Sequence, residues 1–132
     1  MEELAVRAWF DEYLGALTVR GRGESDDLQR LLDYYAVPLV AATDDVVTTL
    51  TSEEEVVSFA GQQVDGMRSA NVHRIVTLRS EVTALNSRAA LYRAEFARET
   101  ADGGEVARLA VTYFITLGDE GFRIAAVALR AA

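Results

Sequence analysis

Near Val72 the spacing of apolar residues changes from about 3.6 to 2, and this switch constrains the fold more than any other feature of the chain. Before it, apolar residues recur with the period of a helix face; after it, they alternate as in strands. From Glu2 to about Arg20 the helical set is Leu4, Ala5, Val6, Ala8, Trp9, Phe10, Tyr13, Leu14 and Leu17, with Glu2 and Glu3 where the helix dipole favours acids. Gly21-Arg22-Gly23 breaks this helix. Ser25 is a good N-cap for a short second helix carrying Leu28, Leu31, Leu32 and Tyr35, which the lone Pro38 ends. A hairpin is expected next, Leu39–Ala42 and Val46–Leu50 around Thr43-Asp44-Asp45. Ser52 and Glu55 form a capping box that opens a third helix, with Val56, Phe59, Ala60, Val64 and Met67 inward and an end near Ser69-Ala70-Asn71.

Past the switch, four strands are predicted, at about Val72–Leu85, Arg88–Glu99, Glu105–Leu117 and Phe122–Arg130. Asn86-Ser87, Asp102-Gly103-Gly104 and Gly118-Asp119-Glu120-Gly121 supply the hairpin turns between them. Helices first and a meander after give an α+β fold, with three N-terminal helices packed on a strongly curved antiparallel sheet. The 132 residues fit one domain spanning 1–132, with 50% apolar and 26% charged residues, the balance of a folded globular chain.

The strand Leu109–Leu117 reads LAVTYFITL, apolar on both of its faces, and Phe122–Arg130 does the same. A half-solvated antiparallel strand should alternate. Helices can cover one face only, so the second is expected to be covered by another copy of the chain, a homodimer through the outer sheet face, the alternative being a sheet curled so tightly that it covers itself.

Charge and composition narrow the function. A net charge of −8 repels phosphate backbones and anionic lipid, so neither nucleic acid nor a membrane surface is expected as partner. With no cysteine and one histidine, thiolate chemistry, Cys-ligated metals and a multi-histidine cage within one chain are excluded, and neither metal nor cofactor is expected. All 13 basic residues are arginine, the bias of a GC-rich bacterial genome. Met1-Glu2-Glu3 is acidic where a secretory leader is basic, and no apolar run reaches a membrane span, so the expected location is cytoplasmic.

The order helix, helix, hairpin, helix, four-strand meander resembles the nuclear-transport-factor-2-like superfamily, the SnoaL-like or ketosteroid-isomerase-like roll with a cystatin-like fold. Tyr13-Leu14-Gly15-Ala16-Leu17 is similar to its first-helix Tyr-x-x-Ala-Leu, Leu28–Ala36 to its second helix, and Gly121-Phe122-Arg123-Ile124 to the Gly-Trp-Arg-Ile that opens its last strand. The resemblance implies a conical pocket between the first helix and the concave sheet, suited to a small apolar ligand. It also implies dimerisation through the outer sheet face. The residues it places at the pocket are Trp9, Tyr13, Tyr35, Leu91, Arg93, Glu95, Thr112 and Phe114.

Catalysis of the isomerase type needs a carboxylate base and an oxyanion hole built from a tyrosine and a neutral acid. Tyr13 falls on the tyrosine position. The base position is Thr43, with Asp44 next to it, and the acid position is Thr112. Epoxide hydrolysis needs two carboxylates bridged by an arginine; Arg93-Ala94-Glu95 resembles part of that set, but Ile124 stands where the second acid should be. Arg93 and Glu95, two apart on a strand, share one face. His73 at a strand start has no acid placed beside it by spacing, and Ser52 and Ser58 lack a nucleophile elbow. The expectation is therefore a pocket protein that binds a small apolar ligand as a homodimer. The alternatives are a cofactor-free isomerase, cyclase or dehydratase using Tyr13, Arg93 and Glu95 as acid, clamp and base, and a dimerisation or adaptor module.

Overall fold

A computed structural model describes residues 1–132. Helix α1 (Glu3–Gly21) starts where the carboxylate of Glu2 accepts from the free amides of Leu4 and Ala5, both at 2.9 Å. Its buried residues Val6, Phe10, Tyr13 and Leu17 follow the three-or-four spacing of one helix face. Helix α2 (Glu53–Ser69) starts at Ser52, whose hydroxyl accepts from the Glu55 amide at 3.1 Å, and it buries Val56, Ala60, Val64 and Met67. The Glu55 carboxylate reaches back one residue beyond the cap, accepting from the Thr51 amide. The helices meet where Gly21 lies against Met67: a Cβ on Gly21 would sit 2.5 Å from the Met67 methyl.

Six strands form one sheet in the order β2-β1-β6-β5-β4-β3: β1 (Tyr35–Ala42), β2 (Val47–Leu50), β3 (Arg74–Ala84), β4 (Ala89–Glu99), β5 (Glu105–Gly118) and β6 (Gly121–Ala131). The architecture is α+β, but the sheet is mixed rather than antiparallel, because the last strand returns beside β1 and pairs with it in parallel. That pairing joins distant parts of the chain, which no local period reveals. The second expected helix is a 3-10 turn over Leu28–Asp33, and Tyr35 belongs to β1 instead. Pro38 lies inside β1, not at the end of a helix. It occupies the stretch where the β1–β6 register shifts between Tyr35 and Val40, so its missing N–H interrupts no regular ladder.

Further register shifts lie between Thr77 and Arg79 on β3, Arg98 and Glu99 on β4, and Phe114 and Ile115 on β5. Such bulges bend and twist strands, here curling the sheet around its inner face. Phe10 decides which face is inner. It stacks on Tyr92 with ring centroids 3.9 Å apart, meets Tyr113 edge-on at 4.7 Å and lies parallel to Phe96 at 6.3 Å. The even positions of β4 and the odd positions of β5 therefore point to the helices. Burying a ring of this size contributes roughly 2–3 kcal/mol by area alone. The other face, with Leu91, Phe114, Ala126 and Ala128, is covered by no element of the chain.

Candidate functional site

The inner face and the two helices enclose a cone, and aromatic side chains fill most of it. What stays open is a cavity of about 40 Å³, lined mainly by apolar side chains together with Gln63 of α2 and Arg98 of β4. Tyr13, Tyr35 and Tyr113 are buried around it, while Phe59, Gln63, Ile75, Arg98, Leu109 and Leu129 are half-buried and form its rim. The volume holds about three water molecules and is well below the several hundred Å³ of a site that swallows a drug-sized ligand.

The polar groups at this cavity are unusual for a core. The Tyr13 and Tyr35 hydroxyls hydrogen-bond to each other at 2.5 Å, so one of the two phenolic protons stays free. The Tyr113 hydroxyl has no hydrogen-bond partner in the protein, yet it is not a sealed-in orphan, which leaves it open to the cavity. Loss of solvation is the main reason that all three phenols hold their protons far more tightly than an ordinary tyrosine; at Tyr13 the neighbouring Tyr35 adds to it. They are donors at any working pH, not bases. Burial also pushes the Arg98 guanidinium down from the usual arginine range, partly offset by Tyr113 and Tyr13. It nevertheless remains a cation near neutral pH.

Of the eight residues expected at the pocket, the structure brings only Tyr13 and Tyr35 to the cone. Trp9 is outside it, between Tyr34 and Phe122 at centroid distances of 5.8 and 5.7 Å. Leu91, Arg93, Glu95, Thr112 and Phe114 are on the opposite, outer face of the sheet. The reason is parity: Tyr92 and Phe96 pack on Phe10, so the odd positions of β4 point away. Thr43, Asp44, Arg93, Glu95 and Thr112 do converge, but around an open outer groove of about 610 Å³, with the sheet between them and Tyr13. There Glu95 is bonded to Arg79 at 2.6 Å, with Arg108 at 3.8 Å, while Arg93 is exposed and has no carboxylate within ion-pair distance. The set Tyr13, Arg93 and Glu95 is thus not assembled. His73 donates its amide to Glu99 and accepts from Arg22 at its carbonyl, both backbone roles. No three His, Asp or Glu side chains converge as metal ligands.

Arg98, Tyr113 and Gln63 were not among the residues read from the sequence. The signal for two of them was present: Arg98 continues the series Tyr92, Ala94, Phe96, and Tyr113 lies between Val111 and Ile115. The bulkier alternate positions of each strand mark the inside, and both residues share that parity. Gln63 carries no comparable signal.

A family described as NTF2-like protein (DUF6841) matches residues 2–132. The chain belongs to this family. No curated protein matches it. Among solved structures, this NTF2-like chain is similar to a Xanthomonas campestris chain assigned as a calcium/calmodulin-dependent protein kinase II association domain (TM-score 0.71, 19% identity, covering 100% of this chain and 89% of that one). It is similar to a Nostoc punctiforme domain of unknown function with a cystatin-like fold (TM-score 0.71, 21% identity, 98% and 76% covered). A ketosteroid isomerase-like protein from Erwinia carotovora atroseptica also superposes (TM-score 0.68, 17% identity, 98% and 96% covered). At these identities the likeness shows the NTF2-like, cystatin-like fold alone.

Proposed function

We propose that this NTF2-like chain binds a small, mostly apolar molecule in its cone without transforming it, and does so as a homodimer through the outer sheet face. The observation that carries the binding reading is the convergence of unspent polar groups on an open space: a free phenolic proton from the Tyr13–Tyr35 pair, the partnerless Tyr113 hydroxyl and the Arg98 guanidinium. Apolar walls with a few convergent polar groups are the signature of a ligand site. Binding is favoured over isomerase, cyclase or dehydratase chemistry because no carboxylate or imidazole lines the cavity, and the phenols are held protonated, so the site has no general base. The volume limits what enters to a few heavy atoms, with the rest of the ligand lying on the apolar rim.

The dimer is supported by the outer face itself. Ala110, Thr112 and Ala128 are small enough to let a second sheet approach closely, and the groove they line holds unpaired charges of both signs, Arg93 and Arg130 beside Glu81 and Asp44. A two-fold axis would set one copy's arginines against the other's acids.

A neutral fragment library screened by ligand-observed NMR tests the cone. Hits that compete with each other and vanish on Leu109→Trp, which fills the rim, are the expected result. A screen in which nothing binds, or in which hits survive that substitution, overturns the reading and leaves the outer face as the surface through which the protein would act.

A further inference from the structure

We infer that the ligand of the cone is a small monocarboxylate, its carboxylate held by Arg98 and the Tyr113 hydroxyl and its apolar tail lying on the rim. This rests on the cone being a ligand site and adds the ligand's chemical class.

The case starts from how this protein treats its other arginines. Arg20 is buried, and its guanidinium donates to the carbonyls of Asp27 and Ala16 at 2.7 and 2.9 Å. The half-buried ones are equally well served. Arg7 has the Ser80 hydroxyl at 2.7 Å, Arg68 has Asp26 at 2.9 Å, Arg74 has Glu99 at 3.2 Å, and Arg123 has the Phe122 carbonyl at 2.8 Å. Arg98 is the exception. Its one side-chain partner is the amide oxygen of Gln63, at 3.4 Å, and no carboxylate is within 4.0 Å. A guanidinium has five donors in a planar fork and is costly to desolvate unless they are used. Here the fork borders an open cavity and is the one cation lining it.

The geometry selects the anion. Room for about three waters matches the three heavy atoms of a carboxylate, whose two oxygens fit the fork of one arginine. A phosphate is bulkier and is usually met by several cations or a nest of backbone amides, and the lining supplies a single cation. The partnerless Tyr113 hydroxyl provides the further neutral donor that a carboxylate oxygen accepts. Outside the head-group position, Phe59, Ile75, Leu109 and Leu129 offer only apolar surface, which suits an alkyl or aryl tail and rejects a second charge.

Calorimetry with benzoate and butyrate, against benzamide, butyramide and inorganic phosphate, tests this directly. The acids are expected to bind at least about tenfold more tightly than their amides, the discrimination expected of a charge-assisted pair. Arg98→Gln is expected to abolish that preference, bringing the acids down to the level of the amides in the same variant. Tyr113→Phe, which keeps the ring and so the packing, is expected to weaken the acids severalfold, and this arm serves even if Arg98→Gln does not fold. Equal binding of acids and amides overturns the inference, as does tighter binding of phosphate, while leaving the cone as a ligand site. Silence from all five probes also overturns it; the neutral-fragment screen then decides whether the binding reading falls too.

Discussion

Tyr13 shows what a single residue does here. Its ring meets Phe10, Tyr34, Tyr35 and Tyr113, and its hydroxyl shares a 2.5 Å hydrogen bond with Tyr35. The same phenol that a sequence reading assigns to catalysis is also a brace between α1 and β1. Its environment has a measurable consequence at high pH. The folded-state affinities of Tyr13, Tyr35 and Tyr113 for their protons are raised above the ordinary value of 10.0. A group raised in the folded state contributes stability that is fully present below the unfolded value and is lost as pH climbs toward the folded one. Stability is therefore expected to be insensitive to these residues up to about pH 10 and to fall above it, by about 1.4 kcal/mol per pH unit for each phenol still protonated in the folded state. Urea unfolding between pH 8 and 11.5 checks this, with Tyr113→Phe reducing the slope by about one proton. A slope that does not change in that variant would mean that Tyr113 titrates as freely folded as unfolded.

Elements differ in how openly the sequence declares them. The third expected helix and the four strands of the meander appear within a few residues of their predicted bounds, because caps, turns and periodicity all act locally. Ser52 is the clearest case, and Ser52→Ala is expected to cost about 1 kcal/mol, read as a lower urea midpoint with unchanged m-value. The stretch from Ser25 to Pro38 declares itself less openly. Its apolar spacing suits a helix, but it lies between two elements that must meet elsewhere. Arg20 and Arg68 hold it from both sides: Arg68 donates to the Arg20 and Ser25 carbonyls at 2.9 and 3.0 Å, and Arg20 to Asp27. These long-range tethers set the backbone path, and the segment settles as one 3-10 turn before extending into β1. The candidate site fared likewise. Tyr13 and Tyr35 were legible because each sits on a helix face or beside a matched motif. Arg93 and Glu95 stand out in the sequence as a charged pair, yet the aromatic residues flanking them, Tyr92 and Phe96, are what the helix packs on. On a strand with two apolar faces, charge says little about parity; ring size says more.

At the scale of the whole molecule, the helices satisfy the inner face and leave the outer one open to water. The odd positions of β5, Val111 among them, point into the cone, so a probe of the outer face needs the other parity. Phe114 and Thr112 have it, half-buried on the outside and paired in register with Ala126 and Ala128. If two copies meet sheet to sheet, Phe114 lies within the contact and a carboxylate in its place would be buried without a partner. Phe114→Glu is accordingly expected to convert a dimer to a monomer in sedimentation or light scattering at micromolar concentration, leaving the helical and strand content by circular dichroism unchanged. Because the groove on that face carries Arg93, Arg130, Glu81 and Asp44, a dimer formed there is expected to weaken only modestly as salt is raised: such charges are screened, whereas apolar burial is not. A wild-type chain that stays monomeric under these conditions refutes the sheet-to-sheet dimer outright. A Phe114→Glu chain that remains dimeric instead moves the contact off β5, toward the exposed Val46 and Val47 at the β2 edge. The two outcomes separate the question of whether the outer face is an interface from the question of what the cone holds, since Phe114 touches one and not the other.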